Sequence, residues 1–307
     1  MSFDTFLAEI GDRYQVMFSS REPRYDQVFA EIAMPVLLKL ESGDARYHTV
    51  DHTLQVISVG QAILEGKQQD AGKQQNEGSV SPLDWLTTLV SLLFHDLGYV
   101  KGICPGDRPH AHQYSDGRGG YRYLSPKATG AALAECHVDR SQAYAATHLS
   151  QYPFLDISAV QENIEMTRFP VPDDSQYRDI LSYGGLCRAA DLIGQLSDPR
   201  YLQKLPDLFR EFEETGTNQA LGYETPTDLR INYPDFYQHV VYPLVQPSLR
   251  YLGLTAAGRK RIAQLYTNIR LAKPAQPRGD ITRPHRRQLS SEVGLIPWRS
   301  LRFTFAH

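Results

Sequence analysis

Residues 81–98 read SPLDWLTTLVSLLFHDLG, and this stretch decides the fold class. Ser81 can cap a helix, Pro82 suits the first helical position, and Asp84 stands three residues after the cap. That pattern satisfies the free N–H groups at a helix start. The body from Leu83 to Phe94 is apolar on nearly every side, so the helix it forms has to be buried. His95 and Asp96 stand at its end, two polar residues delivered into the interior, with Gly98 expected to stop the helix.

Working outward, apolar residues recur at spacings of three and four and seldom alternate with polar ones, which predicts an all-α fold. Upstream, His52, Val56, Val59 and Ile63 share one face of a helix expected to end near Gly66. The repeated GKQQ at 66–69 and 72–75 reads as a solvated loop. Downstream, residues 101–124 are glycine-rich without periodicity, as lids and binding loops are. Helices are expected to resume at Ser125-Pro126 and then over 141–149, 158–167, 175–196, 201–214, 234–252 and 256–271. A single multi-helix bundle over residues 1–272 follows. Residues 273–307 hold seven Lys/Arg against two Asp/Glu and four prolines, a basic C-terminal tail.

Composition bounds the function. The 307 residues are 41% apolar and carry a formal charge of −3, which argues against nucleic acid as a partner. Three scattered cysteines make no disulfide framework and point to a reducing, cytoplasmic setting. The N-terminal residues do not read as a secretion signal, and no apolar run is long enough to span a membrane.

Four polar residues fall on faces that should be buried: His52, His95, Asp96 and Asp191. Any one of them alone reads more readily as a hydrogen-bonded core group. Together, two imidazoles and two carboxylates from three separate helices form a ligand set for a divalent cation, because buried carboxylates are costly without one. Mixed nitrogen and oxygen donors suit Zn, Mn, Fe, Co or Ni without selecting among them.

The order His, His-Asp, Asp resembles the HD-domain superfamily of metal-dependent phosphohydrolases, and within it the cyclic-nucleotide phosphodiesterase-like branch. YHTVDH (47–52) resembles that branch's YHNxxH box, and LLFHDLG (92–98) its HD box. RAADL (188–192), with DPRYLQK and LFREFEETG after it, resembles the stretch carrying its last Asp. FYQHVVYPL (236–244) resembles its base-clamping segment. The resemblance spans about 47–252 and implies an HD-type bundle. It also implies one tightly held metal ion (Zn, Mn, Fe, Ni or Mg) with a second held more weakly, bridged by Asp96. His48 would be the general acid, Asp96 would orient the attacking water, and Phe236 would pack on a flat ring. The sequence departs from the branch at Thr49, at Gly98 and Tyr99 after the HD box, and at Tyr233, where the branch carries its base-gripping glutamine.

Further candidates for substrate contact are Lys101, His148, Arg168 and Gln195; each also reads as an ordinary surface or core residue. Arg188 and Gln195 bracket Asp191 along its helix, so either could support it. The expected activity is hydrolysis of a small-molecule phosphoester, a nucleotide or cyclic nucleotide being favoured, with a homodimer as an allowed assembly. Two alternatives stand: a nucleotide-binding regulatory module without turnover, and an HD-fold di-iron oxygenase. Pro126, at an expected extra-ligand position, counts against the oxygenase.

Overall fold

The computed structural model describes residues 2–19, 23–74 and 78–273. The stretch read as a basic tail lies outside these from residue 274 onward. Twelve α-helices carry the described residues: α1 (Phe3–Phe18), α2 (Tyr25–Glu41), α3 (Val50–Gln74), α4 (Pro82–Phe94), α5 (His137–Leu149), α6 (Ile157–Glu165), α7 (Tyr183–Leu196), α8 (Tyr201–Glu214), α9 (Thr217–Leu221), α10 (Pro226–Phe236), α11 (Tyr242–Leu254) and α12 (Ala256–Ala272). A short antiparallel hairpin pairs β1 (Gln113–Ser115) with β2 (Tyr121–Tyr123). The fold is all-α, and one continuous apolar core runs from α1 to α12. Among the described residues no helix is long and apolar enough to cross a membrane.

α4 is the central strut. Ser81 accepts the Asp84 N–H while the Asp84 carboxylate accepts the Ser81 N–H, the reciprocal cap expected from the sequence. Every residue from Leu89 to Phe94 is buried, so α4 meets neighbours on all sides: α2, α3, α6 and α7.

α3 corrects two expectations. The helix does not stop at Gly66 but continues through the first GKQQ to Gln74. Gly66 serves a close crossing instead: a Cβ there would lie 2.0 Å from the Tyr251 carbonyl oxygen on α11. The polar residues beyond it have partners. Gln68 accepts the Val80 N–H, and Lys67 lies over the Tyr183 and Tyr251 rings. Gly98 likewise has another task than a helix stop. It sits in a 3-10 turn (Leu97–Tyr99), and a Cβ there would lie 1.8 Å from the His137 carbonyl oxygen, so its bareness lets α5 approach.

Three further boundaries differ. Ser125-Pro126 starts no helix; a 3-10 turn (Gly130–Leu133) capped by Thr129 takes that place. The helix expected from Ser175 begins at Tyr183. Asp179 accepts the Leu181 and Ser182 N–H groups, a local turn that competes with helix, and Ser182 then caps α7. The segment expected as one helix over 234–252 is α10, a π-turn (Tyr237–Val241) and α11 in succession.

The glycine-rich region 101–124 is organised around Arg140, whose side chain is fully buried. Its guanidinium donates to both Asp107 oxygens at 3.0 Å and to the carbonyls of Gly98 and Val100. Arg140 is therefore a clamp for the hairpin.

Candidate metal centre and cavity

The crossing of α3 and α7 builds the site. A Cβ at Gly194 would lie 2.9 Å from the Val56 Cα, so the two helices touch backbone to backbone there. One turn earlier on each, His52 and Asp191 face each other, and α4 delivers His95 and Asp96 beside them. His52 Nε2 lies 3.3 Å from Asp96 Oδ2 and 3.2 Å from Asp191 Oδ1. His95 Nε2 lies 3.3 and 3.6 Å from the same two oxygens.

These separations fit donors arranged around a common point. A cation about 2.0–2.2 Å from each donor spaces neighbouring ligands by about 3.0–3.5 Å. His95 Nε2 and Asp96 Oδ2 are buried and make no hydrogen bond, though each such orphan costs about 1–3 kcal/mol. His95 donates its Nδ1–H to the Leu92 carbonyl at 2.6 Å, which leaves the Nε2 lone pair facing the centre. His52, His95 and Asp96 satisfy the geometry of a metal-holding cluster, and Asp191 Oδ1 lies 3.2 and 3.6 Å from the two imidazole nitrogens. Burial pushes both carboxylates up, yet the facing imidazoles outweigh it and hold Asp96 and Asp191 below the usual carboxylate range.

His48 lies four residues before His52, with 19% of its side chain exposed. It donates Nδ1–H to Glu211 Oε2 at 2.6 Å, and Glu211 Oε1 accepts the backbone N–H groups of Tyr47 and His48. Burial alone would lower the imidazole's proton affinity, but the Glu211 carboxylate reverses this and lifts the pKa to about 9. Glu211 on α8 escaped the sequence reading because nothing in LFREFEETG separates it from its acidic neighbours. The detectable signal was its place on the buried stripe with Leu205 and Leu208.

Tyr99, one of the departures from the phosphodiesterase pattern, is sandwiched between two imidazoles. Its ring stacks on His48 at 4.4 Å and on His137 at 4.3 Å between centroids. His137 was also missed. It donates Nδ1–H to the Ala134 carbonyl and places Nε2 3.9 Å from Asp96 Oδ1, the carboxylate oxygen turned away from His52.

A cavity of about 1840 Å³ opens beside the centre, and His48, Asp96, Tyr99, His137 and Asp191 line it there. Phe236, Tyr233, Gln195 and Arg168 also line it. Phe236 meets Phe169 edge-on at 5.9 Å. The Tyr233 hydroxyl turns away and donates to the Leu196 carbonyl. Arg168 is held by Glu165 and Asp139, so its charge is already answered within the protein.

Two candidates are corrected. Lys101 is not among the lining residues; it pairs with Asp44 at 2.6 Å and donates to the Ala128 carbonyl. His148 stacks on Tyr144 and packs near Phe94, outside the cavity. Arg188 does not support Asp191: it donates to the Met166 and Tyr177 carbonyls and so braces the wall that carries Arg168 and Phe169.

A family model described as Npun_R2479-like matches residues 1–274. The chain belongs to the Npun_R2479-like family. The match takes in every helix from α1 to α12, and with them each residue of the centre in this Npun_R2479-like chain. No curated protein and no solved structure gives a significant match.

Proposed function

We propose that this chain is a metal-dependent phosphohydrolase of the HD type, with a divalent cation held by His52, His95, Asp96 and Asp191. One observation carries the reading: four donor atoms from three helices lie 3.2–3.6 Å apart in the pairs given above, and two of them are buried without a hydrogen bond. A divalent cation bound there would supply Lewis acidity, which acidifies water and offsets negative charge on a phosphoryl group.

The remaining chemistry belongs to the protein. His48, kept protonated by Glu211, faces the cavity beside the donors. It donates its Nε2 proton to the departing ester oxygen as the P–O bond breaks and water's oxygen bonds to phosphorus, while the attacking water releases one proton to solvent. Such proton transfer is typically worth about 10²–10⁴-fold in rate. Asp96 orients the attacking water. The buried floor limits bulk water around the reacting atoms, and the phosphodiesterase-like resemblance of residues 47–98 supports the same assignment of roles.

The test is elemental analysis of the purified protein, then a phosphodiester and phosphomonoester panel with Mn, Mg, Zn or Fe restored. We expect close to one tightly bound transition metal per chain and turnover that metal stimulates. Asp96→Ala should abolish both the metal and the turnover. A metal-free protein with no metal-stimulated turnover on any ester would sink the proposal.

A further inference from the structure

Resting on the phosphohydrolase reading, we infer that the substrate class is a singly charged phosphodiester with an extended, largely apolar body, and not a polyphosphate nucleotide.

The charge lining the cavity argues first. Asp96, Glu135, Asp173, Asp191, Glu211 and Glu214 line it, against Arg122, Arg168 and Arg178. Two of those guanidiniums are already paired: Arg122 with Glu135 at 2.6 Å, and Arg168 with Glu165 and Asp139. Arg178 is exposed, and no lysine lines the cavity among the described residues. A triphosphate brings several negative charges and would meet a wall whose acids outnumber its guanidiniums, two of the three guanidiniums being paired already. One phosphate charge is the load that a single metal centre can answer.

Size and polarity argue second. Small-molecule sites usually hold about 300–1,000 Å³, and this cavity holds about 1840 Å³. Its wall away from the metal centre is formed by Phe212, Leu221, Leu229, Phe236, Val240 and Leu244 from α8 to α11. Several polar side chains beside them are bonded within the protein. Asn232 donates to the Asp228 carbonyl, Thr215 bonds Thr217, and Tyr233 donates to the Leu196 carbonyl. A nucleobase edge finds few partners on such a wall, whereas an alkyl or aryl body finds a matching surface.

Calorimetric titration of the Mn-loaded full chain with diethyl, dibutyl and dihexyl phosphate tests this without requiring turnover. Kd should fall about 3- to 4-fold for each methylene buried, the equivalent of roughly 0.8 kcal/mol. AMP, ADP and ATP should bind no more tightly as phosphates are added. Leu244→Asp should flatten the dependence on chain length; if that variant misfolds, the series on the unmodified chain decides. Affinity independent of chain length, no binding of any dialkyl phosphate, or affinity rising from AMP to ATP would overturn the inference. Failure of the phosphohydrolase reading looks different. It is absent turnover on every ester, while the chain-length slope is set by the wall alone.

Discussion

Replacing Glu211 by Gln isolates the contribution of one buried charge. The amide is nearly isosteric with the carboxylate, so its oxygen can still accept the Tyr47 N–H that Glu211 Oε1 accepts at 2.6 Å. The negative charge 2.6 Å from His48 Nδ1 is lost. His48 then falls from about 9 toward or below its ordinary 6.5, since burial alone pushes it down. At pH 8 a group of pKa near 9 is about 90% protonated, and one near 6.5 about 3%, so the acid form drops roughly 30-fold. The assay is the pH profile of metal-loaded protein on two diesters, one with an alkoxide and one with a nitrophenolate leaving group. With the alkyl ester, the alkaline limb should move from near pH 9 toward pH 6.5, and the rate at pH 8 should fall by that factor. The nitrophenyl ester departs without protonation and should keep most of its rate. An unmoved limb, or equal losses on both esters, would refute the role given to His48.

The same pair sets a stability window. The folded pKa of His48 is raised, so its share of the stabilisation is full below 6.5 and is lost as pH rises through about 9. The folded pKa of Glu211 is lowered, His48 and the two N–H groups outweighing burial. Its share is present above 4.5 and is lost as pH falls through the lower folded value.

Two further outcomes are open to direct measurement. Gly66→Ala drives a methyl into the Tyr251 carbonyl and should destabilise the fold by about 1–3 kcal/mol, whereas Gly72→Ala meets nothing within 4 Å in the same helix and should stabilise it by about 0.5–1 kcal/mol; paired thermal melts read both, and equal effects would deny the close crossing of α3 and α11. Arg140→Ala strands the buried Asp107 carboxylate and should cost about 3–5 kcal/mol, with protease cleavage appearing first between residues 101 and 124; a resistant hairpin at unchanged Tm would contradict the clamp.

Much of the centre was legible because burial and polarity conflict openly in the sequence. His95-Asp96 ends a stretch with no solvent-facing side, and His52 interrupts a stripe of Val and Ile, so each announces a partner in the interior. His48 was legible only through its spacing from His52 within a family-like box. Glu211 showed only its place on a buried stripe and His137 showed nothing: their roles come from the approach of α8 and α5, and a helix in isolation does not say which partner its acids or imidazoles will meet. Lys101 and His148 misled for the same reason, being chemically apt but placed by packing against Asp44 and Tyr144.

From the chain alone came the all-α class, the capped and buried α4, and the His, His-Asp, Asp order, since caps and apolar periodicity act over a few residues and need no distant contact. Tertiary structure alone decided that Gly66, Gly98 and Gly194 mark helix crossings, that Arg140 clamps a hairpin, and that the cavity wall is acidic and apolar. Those features depend on which surfaces meet after distant segments close on one another, and a local pattern carries no record of its eventual neighbour.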